Sequence, residues 1–163
     1  MKISIFKTWN FHGYRFMFYC RRVQKTLGVN SILKNGYGHM IMLDCEGCDI
    51  TEIISDIKRM QQKHALPVAH LCDTGRYDHW HVIFFTNCHW RNAIRIAADC
   101  NYEDLNHLKF SLQRGWFTLR LSIKNGADIK YHSIIESPFP DESKITDLKS
   151  IVKYETAWKD NNG

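Results

Sequence analysis

His39-Met-Ile-Met-Leu-Asp-Cys-Glu-Gly47 decides the fold of this chain, because it is a short apolar run that ends in charged residues. Such a run predicts a buried strand, with Asp44 and Glu46 at the strand end. Asp49 stands where a helix N-cap is expected, and Glu52 follows three residues later to complete a capping box. Apolar residues then recur with a helical period, so this stretch predicts a strand that leads into an amphipathic helix.

The residues after this unit predict two more strands and a second helix. Pro67 ends the first helix, and residues 68–72 and 79–85 have the composition of strands, with a turn at 73–75 between them. A short helix is expected over residues 90–98. Its inward-facing residues are predicted to be Trp90, Ala93, Ile94 and Ala97.

The last third of the chain predicts a helix, a hairpin and a final helix. The third helix opens at residues 101–104, has Leu105, Leu108 and Leu112 on one face, and ends at Gly115. Residues 116–123 and 130–135 are expected to pair as antiparallel strands around a turn at 124–126. Pro140-Asp141 opens a last helix, whose inner face is predicted to be Ile145, Leu148 and Val152. This order predicts an α+β fold in which helices cover one side of a sheet.

The N-terminal quarter is basic and aromatic. The first 43 residues hold seven Lys or Arg and no Asp or Glu, while the whole chain has a net charge of +5. Cations bind phosphates and flat rings stack on bases, so this mixture indicates contact with nucleic acid, most naturally a single-stranded DNA template. We therefore divide the chain into a basic aromatic arm (residues 1–38) and a catalytic domain (residues 39–163). The expected nucleic-acid-binding residues of the arm are Arg15, Arg21, Arg22 and Lys25.

Length and composition exclude several other classes of protein. A chain of 163 residues with 44% hydrophobic residues is neither disordered nor too small for a core. We find no apolar run long enough to span a membrane and no secretory leader, so a cytoplasmic protein with reduced cysteines is expected. Cys45 and Cys48 form a CxxC pair, but no second pair completes a zinc site.

Two groups of residues are candidates for chemistry. Asp44 and Glu46 are two apart on a strand, so their side chains leave the same face. A positive group nearby, either a divalent cation such as Mg²⁺ or Mn²⁺ or a Lys or Arg side chain, would relieve their repulsion. His79 and His81 likewise share one face of a later strand, and Arg76 stands in the turn before them. A strand that returns next to the acidic strand after one crossover helix would bring these acids and bases together over one cleft.

The two groups resemble motifs of the archaeo-eukaryotic primase superfamily, the primase-polymerases of archaea, viruses and plasmids. Asp44-Cys-Glu46 is similar to the acidic strand-end motif of that family, and Thr74-Gly-Arg-Tyr-Asp-His79 is similar to its later hairpin motif. A third motif, a strand bearing Arg and then Lys, is matched by Arg120 and Lys124. The resemblance covers residues 39–135 and implies an RRM-like, palm-type catalytic sheet.

The resemblance also implies roles for individual residues. Asp44 and Glu46, together with a later acid for which Asp104 is the candidate, would hold Mg²⁺ or Mn²⁺ ions, and His79 would be catalytic with them. The expected ligands of the nucleoside triphosphate are Arg76, His79, His81, Arg120 and Lys124. The implied activity is template-dependent nucleotide transfer in DNA replication of a virus, plasmid or other mobile element, with a helicase or another replication protein as a further partner.

Two alternatives use the same residues. His79-Trp-His81 is also similar to the metal-binding motif of HUH endonucleases, the rolling-circle replication initiators, in which a tyrosine on a later helix attacks single-stranded DNA. Tyr154 is the candidate nucleophile, being the tyrosine of the predicted last helix. The other alternative is a non-catalytic nucleic-acid-binding domain on the same fold.

Overall fold

The structure of the protein is a computed structural model that describes residues 4–11, 14–21, 23–122 and 128–157. It confirms the α+β class, with strands and helices in the following order: β1 (Ser4–Phe11), β2 (Tyr14–Arg21), β3 (Val23–Asn30), β4 (Gly38–Glu46), α1 (Ile50–His64), β5 (Ala69–Asp73), β6 (His79–His89), α2 (Trp90–Ala97), α3 (Leu105–Arg114), β7 (Thr118–Arg120), β8 (Lys130–Ile135) and β9 (Ile151–Ala157). A 3₁₀ turn at Ile145–Asp147 precedes β9. Within these residues, no helix has the length and apolarity that crossing a bilayer requires.

An antiparallel four-stranded sheet in the order β4-β6-β5-β8 is the centre of the fold. Helix α1 connects β4 to β5, and β6 returns between them, as expected from the sequence. The capping box predicted at the start of α1 is present, since Asp49 Oδ1 accepts hydrogen bonds from two backbone N–H groups and Glu52 accepts one from Asp49. Strands β7, β3 and β9 form a second antiparallel sheet, and β1 and β2 form a hairpin.

The two faces of the four-stranded sheet have different surroundings. One face is packed in a core that includes Leu43, Cys45 and Val82, and α1 and α2 contribute their buried apolar residues to it. The opposite face carries the side chains that alternate with these, and part of it is accessible to solvent. The sequence predicted a sheet with helices packed on it, and the structure confirms this arrangement.

The segment predicted to be an arm contains three strands. Strand β3 is the central strand of the second sheet, and Val29 and Leu33 are buried in the common core. Residues 23–38 thus belong to the body of the protein. Of the expected nucleic-acid ligands, Arg15 and Arg21 lie in β2 and Lys25 in β3, while Arg22 lies outside the described residues.

The predicted last helix is wrong. Residues 151–157 form strand β9, which pairs with β3 from Val23↔Ala157 to Val29↔Ile151. Ile151, Val152 and Thr156 are β-branched and suit a strand, and the edge of β3 offers hydrogen bonds that an isolated helix lacks. The apolar spacing that predicted a helix is equally compatible with a turn followed by a strand.

Two other predictions need correction. Strand β8 was expected to pair with β7, but it pairs with β5, while the three residues of β7 pair with β3. The predicted inner face of α3 is right only for Leu108, which packs against the core, because Leu105 is 77% exposed and Leu112 is 56% exposed. The side of α3 turned inward carries His107 and the buried Ser111 instead.

We expect Asp49→Ala to lower the free energy of unfolding by about 1 kcal/mol, because the first turn of α1 loses the side chain that accepts its backbone N–H groups. Urea unfolding followed by circular dichroism measures the change. Lys58→Ala, on the exposed side of the same helix, is the control and should stay within about 0.5 kcal/mol of the parent. Equal stability of the parent and Asp49→Ala would contradict the role of the cap.

Candidate active site

The register of β4 and β6 brings the two predicted groups of polar residues together. Asp44 is paired with His81 and Glu46 with His79, so all four side chains leave the same face of the sheet. His79 Nε2 lies 3.1 Å from Glu46 Oε2, and its Nδ1 lies 3.8 Å from Asp44 Oδ1. His81 Nε2 lies 3.4 Å from Asp44 Oδ1. The expected meeting of acids and bases over one site is therefore present.

The residues that alternate with these four side chains, and those that follow them, stabilise the pairing register of β4 and β6. Cys45 and Trp80 are also paired, and both are buried on the opposite face of the sheet. The indole Nε1–H of Trp80 donates a hydrogen bond to the Cys48 carbonyl at 3.2 Å. Gly47 has φ +72, a left-handed conformation that glycine adopts without strain, and its N–H donates to the Asp78 carbonyl at 2.9 Å.

The turn before His79 is closed by its own hydrogen bonds. Asp73 Oδ1 accepts from the N–H of Gly75 at 2.7 Å, and the Thr74 hydroxyl donates to the His79 carbonyl at 3.0 Å. The His79 N–H in turn donates to the Arg76 carbonyl at 3.3 Å. These bonds fix the start of β6, while the Arg76 side chain itself is exposed at the rim of the site.

Mutual contacts shift the ionisation of the cluster. Burial alone would raise the pKa of Asp44, but its contacts with His79 and His81 outweigh burial and hold that pKa well below its usual range. The same contact with Asp44 raises the pKa of His79 against the opposing effect of burial. The arrangement thus favours an anionic Asp44 beside a cationic His79.

Arg120 links the second sheet to this site. It lies at the end of β7, and its guanidinium donates to the Thr74 carbonyl at 3.2 Å and to the Ser122 carbonyl at 2.7 Å. The predicted third motif therefore contacts the turn of the second motif. Lys124 lies outside the described residues.

The predicted third acid, Asp104, is used as a helix cap. Its side chain accepts the N–H of Asn106 at 2.8 Å at the start of α3, and its own N–H donates to the Asp44 carbonyl at 2.8 Å. Asp104 is thus next to the acidic strand through its backbone, while its carboxylate serves the helix.

Sequence analysis missed the neighbouring acid, Glu103. It is buried, it accepts the Asp44 N–H at 3.0 Å through Oε2, and its Oε1 accepts a short hydrogen bond from His107 Nδ1. Burial raises the pKa of Glu103 to about 7, although His107 opposes this shift. The spacing of Glu103 and His107, four residues across a helix start, was the available signal.

Asp44 and Glu46 are the candidate ligands of a divalent cation at this site. Asp44 and Glu46 have side chains that are 26% and 48% exposed, and carboxylate oxygens are the ligands that Mg²⁺ and Mn²⁺ prefer. In the part of the chain that the structure describes, however, no group of three or more His, Cys, Asp or Glu side chains is arranged to hold a metal ion. Asp44 and Glu46 are therefore two carboxylate donors without a third ligand arranged beside them among the described residues.

The residue proposed as a nucleophile in the HUH alternative does not lie on a helix. Tyr154 is part of β9, where it is paired with Thr26 of β3 in the second sheet. The expectation of a tyrosine on a final helix is therefore wrong.

Comparison with known proteins gave no match: no protein-family model, no curated protein and no solved structure is similar to this chain. Arguments about function thus depend on the site itself.

We expect Asp44→Asn to lower the pKa of His79 toward its ordinary value, because the carboxylate contact that raises it is lost. Titration of the imidazole C–H signals by NMR measures this. Glu46→Gln is the matched comparison and should lower the same pKa less, since Glu46 contributes a smaller effect. An unchanged His79 pKa in Asp44→Asn would show that the two side chains do not interact in solution.

The buried pair Glu103–His107 should make stability depend on pH. Because the pKa of Glu103 rises from 4.5 to about 7 on folding, the stability it contributes is present below about pH 4.5 and is lost as the pH rises through about 7. The pKa of His107 is also raised in the folded protein, which acts in the same direction. Glu103→Gln should therefore flatten the fall in the free energy of unfolding from about pH 5 to about pH 8.

Urea unfolding at several pH values measures this slope. Glu136→Gln, which removes an exposed carboxyl, is the control and should keep the parent slope. If the free energy of unfolding falls with pH equally steeply in Glu103→Gln and in the parent, the pKa of Glu103 is not raised on folding.

Proposed function

We propose that this protein is a small primase-polymerase-like nucleotidyltransferase that joins nucleotides on a nucleic-acid template during DNA replication. The observation that carries the proposal is the pairing of Asp44 and Glu46 with His81 and His79 on one open sheet face. Contact between Arg120 and the Thr74 carbonyl adds the third separated motif to the same place. Residues from three segments that are far apart in sequence thus lie near one another, and this proximity supports the proposal.

In this proposal, Asp44 and Glu46 hold a Mg²⁺ or Mn²⁺ ion that arrives with the nucleoside triphosphate. One or two carboxylates with water and substrate phosphates are the usual environment of protein-bound Mg²⁺. Such an ion supplies positive charge to the attacking 3′-hydroxyl and to the departing pyrophosphate. Asp104 is not assigned to the ion, because its carboxylate caps α3.

The basic side chains then bind and orient the triphosphate. The contact with Asp44 raises the pKa of His79 and so favours its protonated form beside the acidic pair, and Arg76 is exposed in the turn next to it. Both would offset the negative charge that gathers as pyrophosphate leaves. His81 is buried and contacts Asp44, so its role is to orient that carboxylate.

Arg120 has a positioning role in the same scheme. Its bonds to the carbonyls of Thr74 and Ser122 hold the turn that delivers His79. Direct binding of phosphate by Arg120 and Lys124, and binding of template by Arg15, Arg21, Arg22 and Lys25, remain predictions. Association with a helicase also remains a prediction.

A non-catalytic nucleic-acid-binding domain is the second candidate. It is favoured by one observation: neither Glu103 nor Asp104 supplies an accessible third carboxylate to the site, since Asp104 caps α3 and Glu103 is buried against His107. Binding of single-stranded nucleic acid without any nucleotide transfer would support this alternative.

We expect Asp44→Asn and Glu46→Gln each to reduce metal-dependent nucleotide incorporation by about 100-fold or more. Binding of single-stranded DNA should stay near that of the parent, because loss of a carboxylate removes a cation ligand and also repulsion toward phosphate. Extension of a labelled primer with Mn²⁺ and nucleoside triphosphates measures the activity.

Asp141→Asn, at an exposed position outside the site, is the control and should behave as the parent. If both site variants extend primers as well as the parent, the polymerase assignment is wrong. A covalent protein–DNA adduct that Tyr154→Phe abolishes would instead support a nickase.

A further inference from the structure

The open face of the four-stranded sheet continues past the acidic site across β6, β5 and β8. In register with Asp44 and His81, the next strands place Cys72 and then Tyr131. One row along the sheet, Ile83 is followed by His70 and then Ile134. Residues that are paired across antiparallel strands share a face, so these side chains lie on the same side as the candidate active site.

Aromatic and apolar groups dominate this part of the face. The rings of His70 and Phe85 are stacked, with centroids 4.4 Å apart and planes at 26°, and both side chains are half-buried. Tyr131 is 63% exposed and Ile134 is 42% exposed. Exposed rings on a sheet are costly to hydrate, and they are suited to contact with another flat surface.

The charge of this face suits a polyanion. Among the described residues of β5, β6 and β8, those on the open side include no carboxylate. Beside these strands, the N–H of Glu142 donates to the Phe85 carbonyl, and its carboxylate accepts the N–H of Asn87. Arg76 is exposed in the turn that follows β5, and its positive charge acts on His79 of the open face. A cation at the rim and flat rings on the face match phosphates and bases respectively.

Distance connects this surface to the acidic site. Neighbouring strands are about 4.8 Å apart, so Tyr131, three strands from Asp44, lies about 14 Å away across the sheet. A nucleic-acid strand with its reacting end at Asp44 would pass Tyr131 within a few nucleotides.

We propose that His70, Phe85, Tyr131 and Ile134 form a stacking platform for unpaired bases of single-stranded nucleic acid. The platform rests on the proposed function only for the identity of the bound strand as template or primer. Stacking on a ring is tolerant of sequence because every base has a flat face, so the platform accepts any base and DNA or RNA alike.

Binding of a fluorescent oligothymidylate, followed by anisotropy without metal or triphosphate, tests the platform separately from nucleotide transfer. Tyr131→Ala should weaken binding by about tenfold, because stacking of one base is lost. Its dependence on salt should stay that of the parent, since no cation is removed. Phe110→Ala is the matched control, because Phe110 is a ring on α3 that is 49% exposed and lies outside the platform, and it should leave affinity unchanged.

Phe85→Leu provides a second variant that keeps an apolar group in the half-buried position. It should weaken binding in the same direction while circular dichroism shows the parent fold. A scan of the oligonucleotide with single abasic sites should find one position at which base loss weakens the parent but not Tyr131→Ala.

Equal affinities of the parent, Tyr131→Ala and Phe85→Leu would overturn the platform, even if primer extension succeeds. The platform would also be overturned if every abasic site weakened binding by the same factor in Tyr131→Ala as in the parent. Each base would then contact a residue other than Tyr131. Conversely, weaker binding by Tyr131→Ala in a protein without transfer activity would sustain the platform and reject the proposed enzyme.

Discussion

Strands β4 and β6 pair in one register, and that register decides which side chains reach water. Side chains alternate along a strand, so the pairing that places Asp44, Glu46, His79 and His81 on the open face also places Cys45 and Trp80 in the core. A slip of one residue would bury two carboxylates and expose an indole. The hydrogen bond from Trp80 to the Cys48 carbonyl fixes the register beside the site, and thereby joins core packing to chemistry.

The remaining elements support the two ends of this strand pair. Backbone bonds from residues 102–104 extend the outer edge of β4, where Glu46 donates to the Tyr102 carbonyl and Asp104 donates to that of Asp44. Arg120 supports the turn that begins β6. Arg120 of the second sheet and the residues that begin α3 thus each restrain one of the two paired strands.

The strand–helix–strand unit from β4 to β6 was predictable because its signals are local. A capping box, a proline after the helix and two apolar runs each identify one element, and the alternation of Asp44-Cys-Glu46 with His79-Trp-His81 predicts the shared face. Pairing partners were less predictable, since β8 and β9 take their partners from strands far away in sequence. The predicted last helix failed for this reason: its apolar period was real, but hydrogen bonds to β3 favoured a strand.

Two neighbouring acids show why spacing alone did not identify every residue of the site. Asp44 and Glu103 are joined by a hydrogen bond from the Asp44 N–H, yet their pKa values are shifted in opposite directions. Contacts with two imidazoles on the open face stabilise the charge of Asp44, whereas burial against α3 disfavours the charge of Glu103. The charged form is therefore favoured in Asp44, and the protonated form in Glu103, whose carboxylate also accepts the Asp44 N–H. This difference arises from the partners and the burial of each side chain, and a sequence pattern without pairing partners does not contain that information.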